Sequence, residues 1–318
     1  MHLSPVAVKV DPQCSAIGSK NMERRSFFKL SAAGAASVFL PAWGCSESHH
    51  GLAAPVLADA SQGFQVFGEL GGRALLDPLR NRVQLTDAGG FTRTLSAGAG
   101  EREGFNYPIA AALDARGGVF VVDRGSSRVL YFDSRGELVF ELGGHGTSGD
   151  ALNYPSDAVV GADGTLYVSD ALNQRVQVYR GGAATIAGGA ASASFTHADW
   201  NLPRSLALDP QGRLLVLDAG LAEVFVLDTR GALVARYPLL SASGERLHMP
   251  RSLAVDSEGN AYVADYSRSS VLAIEASSGR YLSDLALGAL GSGALAPLRV
   301  AMGPGASLYV ATSPIEVV

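Results

Sequence analysis

A pattern that returns every 46 to 48 residues constrains this chain more than anything else in it. The clearest copies are NYPIAAALDARGGVFVVDRGSSRVLYF at 106–132 and NYPSDAVVGADGTLYVSDALNQRVQVY at 153–179. An Asp closes a strand-like run in each copy, at Asp77, Asp123, Asp170, Asp218 and Asp265, with Thr312 where a sixth is due. A Pro stands 15 residues ahead of five of these positions, at Pro108, Pro155, Pro203, Pro250 and Pro297, and Gln62 takes its place in the first copy. Composition bias cannot hold two landmarks to one spacing, because insertions would move them separately. A period of this length marks a propeller.

Each copy runs through a small apolar strand, a D-x-x-G turn, a second apolar strand ending in Asp, a short loop, an alternating strand, another turn and a last strand. In the second copy these are Ala112-Leu113, Phe120-Val121-Val122, Val129-Leu130-Tyr131-Phe132 and Leu138-Val139-Phe140, short runs rich in β-branched and aromatic residues and punctuated by Gly. The Asp114–Gly117, Asp133–Gly136, Asp209–Gly212, Asp228–Gly231 and Asp256–Gly259 segments could pass for calcium loops. They read as hairpin turns, because Asp bonds its own backbone and Gly supplies the positive-φ position. A lone four-stranded sheet exposes two apolar faces, and stacking such sheets around an axis hides them. The expectation is an all-β fold, a six-bladed β-propeller with four antiparallel strands per blade, over residues 63–318. A chain of that length can bury a real core.

The motifs P-x-x-(apolar)-A-(apolar)-D, G-x-(apolar)-Y-V-x-D and N-x-R-V-Q-V-Y, the last at Asn173, Arg175, Val176, Gln177 and Val178, resemble the NHL-repeat family of β-propellers. That resemblance covers roughly residues 63–318 and is strongest in the second and third copies. It implies a fold. Members of the family bind proteins, bind RNA or act as lyases, so the activity stays open.

Ahead of the repeats, residues 22–45 read as an export signal. Arg24-Arg25-x-Phe27-x-Lys29 followed by a mildly apolar run looks like a twin-arginine leader. The run from Leu30 to Pro41 is too short for a membrane span. Met22 then offers a natural start, with residues 1–21 a non-native extension. Leaders of this kind resemble those that carry folded proteins across the inner membrane, which places the mature chain in the periplasm or cell envelope. Cleavage has two readings. Cys45 follows Gly44 as a lipobox would have it, although Ala42 departs from that motif, and Ala58-x-Ala60 is the other site. Residues 46–62 form a linker that contains a spare extended segment, Ala53 to Ala58. With Ile315–Val318 expected as the third strand of the last blade, that segment could close it as a fourth. In another register Phe64 to Leu70 would be the closing strand, but spacing makes it the first strand of the first copy.

Both cysteines, Cys14 and Cys45, lie before the repeats, so these hold neither a disulfide nor a Cys-ligated metal. Residues 45–318 keep 20 basic and 28 acidic side chains, a net charge near −8, with no basic run. Nucleic-acid binding needs clustered Lys and Arg, so it is not expected.

The loops before each Pro and after each landmark Asp should emerge on one face of the ring. In three copies an Arg follows the Asp by five residues, pairing Asp77 with Arg82, Asp123 with Arg128 and Asp170 with Arg175 as in-blade braces. The fourth and fifth copies have Glu223 and Ser270 there, and instead put Arg204 and Arg251 directly after the Pro. These guanidiniums could approach their own blade's Asp, or, with Arg299, could present planar charged forks to the channel mouth for a carboxylate or other anion. His145, His197 and His248 lie 10, 6 and 2 residues before a Pro, unequal heights for a shared zinc. His248 and His197 join the three arginines as binding candidates. Tyr107, Tyr154 and Trp200 occupy the same loops.

No Ser-His-Asp order, P-loop or haem motif occurs, and no reactive set stands out. The reading that follows is a monomeric binding or scaffold module of the envelope, its partner a protein or a small anion, with membrane contact only through a lipid on Cys45 and no cofactor. The alternative is an enzyme. Here the resemblance implies a peptidyl-hydroxyglycine lyase or a six-bladed lactonase, either of which would bring a divalent metal to the channel mouth.

Overall fold

The computed structural model describes residues 52, 54–59, 63–68, 71–98, 104–187, 191–287, 295–303 and 307–314. The leader residues Arg24, Arg25, Phe27 and Lys29, the extension 1–21, Cys45 and the strand expected at Ile315–Val318 lie outside the described residues.

In the second blade, Pro108–Leu113, Val119–Asp123, Arg128–Phe132 and Leu138–Gly143 pair in chain order, each antiparallel to the one before. The same four-stranded order recurs in the blades that open at Phe64, Pro155, Pro203 and Pro250. Phe64–Phe67 is therefore the first strand of the first blade. Every residue of Val119–Asp123 and of Arg128–Phe132 is buried, because the inner strands are covered on both faces by neighbouring blades. The outer strand Leu138–Gly143 is mostly exposed. Large side chains fill the space between blades, with Phe120 against Tyr131 at 4.6 Å and Tyr131 stacked on Phe140 at 5.0 Å.

The expectation of six four-stranded blades is corrected by the sheet topology. Among the described residues five blades are of that kind, and the ring is completed by a three-stranded mixed sheet. Its hairpin, Leu295–Gly303 with Ser307–Pro314, is antiparallel, and Ala54–Asp59 then lies parallel to Ser307–Pro314. In the second, third and fourth blades the Asp side chain accepts the backbone N–H of the incoming loop, Asn106 to Asp123 at 2.6 Å, Asn153 to Asp170 at 2.6 Å and Asn201 to Asp218 at 2.7 Å, which ends the strand there. Thr312 stands in that place in the closing sheet, and its strands run on for nine and eight residues. Ala54–Asp59 thus occupies the place next to Ser307–Pro314 that the sequence reading reserved for Ile315–Val318.

The D-x-x-G segments are turns. Asp114 Oδ1 accepts the N–H groups of Arg116 and Gly118 at 2.8 and 2.9 Å, and its Oδ2 accepts Tyr131 Oη–H at 2.8 Å. The in-blade braces form as well: Arg128 to Asp123 at 3.0 Å, Arg175 to Asp170 at 2.7 Å, and Arg82 to Asp77 at a looser 3.8 Å, where Arg80 takes the closer place at 2.9 Å.

Candidate functional site at the channel mouth

The first strand of five sheets carries one irregularity in the same place. Pro108 pairs with Asp123 but Ala110 pairs with Val122, and the same shift follows Pro155, Pro203, Pro250 and Pro297. The residue after each Pro is thereby extruded from the ladder, a β-bulge that re-aims one side chain. Those residues are Ile109, Ser156, Arg204, Arg251 and Leu298, and all five line a single cavity of about 570 Å³ at the mouth of the central channel.

The next position in each strand has a different task. Asp157, Ser205, Ser252 and Arg299 bond from sheet to sheet, the serines between neighbours and Arg299 across the axis. Ser205 Oγ donates to Asp157 Oδ2 at 2.6 Å, Leu253 N–H to Ser205 Oγ at 3.1 Å, and Val300 N–H to Ser252 Oγ at 3.3 Å. Arg299 closes the circuit, donating to Asp157 Oδ1 and to the Ile109 carbonyl, both at 2.7 Å. Asp157 is further held by Leu206 N–H and Ala158 N–H, each at 3.0 Å. A second cavity of about 280 Å³ also has Asp157 and Arg299 in its wall, so this ion pair lies between the two.

Arg204 and Arg251 do not turn back to their own blades' carboxylates. Asp218 is satisfied by the backbone N–H groups of Asn201, Leu202 and Leu221, whereas Asp265 Oδ1 accepts from Ser267 and its Oδ2 is buried without a partner. Arg204 Nε donates to the Arg251 carbonyl at 3.3 Å, and the Arg251 guanidinium lies 5.0 Å over the Tyr266 ring with its Nε buried and unpartnered. Among the described residues neither Nη group of Arg204 has a hydrogen-bond partner.

A fourth guanidinium, which the sequence reading did not single out, completes the site. Arg124 directly follows the landmark Asp123 and is buried between two tyrosines, its guanidinium carbon 4.3 Å from the Tyr154 centroid and 5.9 Å from that of Tyr107. Its Nε donates to the Pro155 carbonyl at 3.2 Å. Both tyrosines sit in the left-handed region, at φ of 61° and 59°, uncommon for an aromatic side chain and costly by about 1 kcal/mol or more. The equivalent Leu202 and Met249 do not. The pre-Pro strain is therefore confined to the two blades that bracket Arg124. The signal for Arg124 in the sequence is its place directly after Asp123, in a loop on the mouth face.

Electrostatically the cavity holds four guanidiniums against one carboxylate, Asp157. Burial pushes Arg204 down to about 10, and Arg124, Arg251 and Arg299 add to the shift by repulsion. Arg124 is lowered by burial too, and again by Arg299. His145, Asn153 and Tyr154 complete the wall. His197 and His248 do not line it: His197 packs on Phe225 at 4.9 Å with its Nδ1 accepting Asp199 N–H, and His248 is exposed. The three histidines are not brought together. A divalent metal does not fit this donor set, since the one carboxylate is already bonded on both oxygens and the surrounding charge repels cations. Among the described residues no three His, Cys, Asp or Glu side chains gather elsewhere to hold one.

Residues 80–296 match the model of the SMP-30/gluconolactonase/LRE-like region. The chain belongs to that family. Its propeller is NHL-like, and a 135-residue stretch is 25% identical to the protein brain tumor of Drosophila melanogaster, covering 42% of this chain and 12% of that one. The chain thus spans about an eighth of that relative's length. Among solved structures, virginiamycin B lyase from Staphylococcus aureus superposes with a TM-score of 0.58 at 11% identity, covering 78% of this chain and 76% of the other. A gluconolactonase from Xanthomonas campestris gives 0.56 at 19% identity, over 79% and 83%. At such identities the likeness is one of fold.

Proposed function

We propose that this family member is a binding propeller that holds a small organic anion at its arginine-lined mouth, and that the leader read at Arg24 and Arg25 delivers it to the periplasm or cell envelope. One observation carries the binding role: Arg124, Arg204, Arg251 and Arg299, from three blades and the closing sheet, converge on one cavity with only Asp157 to offset them. Guanidiniums are costly to bury without partners, and planar forks match carboxylate and phosphate oxygens. Family membership and the likeness to a lyase and a gluconolactonase support a catalytic alternative. Among the described residues the titratable acid–base groups lining the mouth are His145 and Asp157, apart from the tyrosines Tyr107 and Tyr154, and Asp157 is bonded to Arg299, Ser205, Leu206 and Ala158.

The test is a thermal-shift screen of carboxylates, phosphates and sulfates against the native protein and an Arg204→Ala, Arg251→Ala double variant. An anion that raises the melting temperature of the first and not the second supports the reading. A flat response across the panel removes it. A pull-down from envelope extract with the same two proteins extends the test to protein partners.

A further inference from the structure

Resting on that reading, we infer that the mouth selects a small organic oxyanion carrying two or more negative charges, a phosphate monoester or a di- or tricarboxylate, over a monoanion. Arg299 spends one Nη on Ile109 and the other on Asp157. Arg124 spends Nε on Pro155 and one Nη, at a long 3.4 Å, on Tyr154 Oη. Arg204 spends only Nε, and Arg251 Nε is buried with no partner. The unspent groups are thus the two Nη of Arg204, the fork of Arg251 and one edge of Arg124.

These belong to three side chains on the second, fourth and fifth blades, so they surround the cavity rather than form one fork. A single carboxylate can neutralise one of them. The other two would then stay charged and half desolvated beside each other, the condition that already pushes Arg204 down to about 10. A ligand with a second and third anionic group relieves that repulsion at each step and adds a charge-assisted hydrogen bond each time. Arg124 is the specificity-determining residue in this scheme. The strained Tyr107 and Tyr154 clamp its guanidinium, so its free edge is preorganised.

The deciding experiment is calorimetric titration of the native protein, at constant ionic strength, with butyrate, glutarate and tricarballylate, which share a propane backbone and differ in the number of carboxylates. Inorganic phosphate and glycerol phosphate form a parallel arm, and a short single-stranded oligonucleotide a third. Each added carboxylate should tighten binding by about tenfold or more. Arg124→Met should flatten that ladder while leaving residual binding, and Arg124→Lys should restore part of it; circular dichroism checks that both fold. Comparison of the carboxylate and phosphate arms then tells which source of charge the site prefers. Equal affinity along the ladder overturns the charge inference and leaves anion binding intact. No binding in any arm overturns both. An oligonucleotide that outcompetes every small oxyanion overturns the small-ligand assignment.

Discussion

Arg299 reaches from the closing sheet to Asp157 in the third blade, a contact of 2.7 Å between residues 142 positions apart. It crosses the axis, whereas the serine bonds around it link only neighbours. Both side chains are largely buried, at 17% and 6% exposure, so removing one leaves an uncompensated charge. Arg299→Met should therefore cost about 3–5 kcal/mol in urea unfolding, and Asp157→Asn a similar amount. The double variant should cost clearly less than the two single changes together; full additivity would mean that the pair is not coupled.

Arg204→Met should do the opposite. A base whose pKa is lowered in the fold is penalised in its charged form at every pH below the folded value, about 10 here, and that penalty fades as pH rises further. Removing the charge should raise stability at pH 7 by about 1–3 kcal/mol while weakening anion binding. The stability difference should narrow above pH 10. A loss of stability at pH 7 would show that Arg204 is a structural brace instead.

Glu223 sits where the first three blades have an Arg, and its ion pairs run outward to Arg236 at 2.6 Å and Arg246 at 2.9 Å. Burial alone would raise its carboxyl, but the hydrogen bonds from these two arginines outweigh it and hold it below the usual carboxylate range. Its contribution is present above its unfolded pKa and lost as pH falls through the depressed folded value. Acid titration of the melting temperature should show this loss below pH 4.5, with a shallower decline in Glu223→Gln.

Gly63, just ahead of the first blade, has φ of 98°, and a Cβ there would collide with the Leu76 carbonyl oxygen. Backbone cannot yield as a side-chain tip would. Gly63→Ala should destabilise the protein by about 2 kcal/mol or more, measured by thermal unfolding. Gly244→Ala, with φ of 80° but open space around it, should cost less.

Period and turn chemistry are local, and they were legible in the chain. The 46-to-48-residue spacing, the Asp that ends each second strand and the D-x-x-G turns specify four-stranded sheets and stack them around an axis. The Arg after Pro203 and Pro250 pointed to the mouth, because a bulge at that step is a property of the repeat. What the repeat could not specify was how the ring shuts. That depended on Ala54–Asp59, which pairs in parallel with a strand some 250 residues later. Nor did the repeat rank the arginines, since Arg299 lies one step past the bulge and is consumed by Asp157, while Arg124 enters from the loop after its Asp. Charge in a cavity is a sum over side chains from different blades. No single copy of the repeat contains that sum, so only the closed ring could decide that four guanidiniums face one carboxylate.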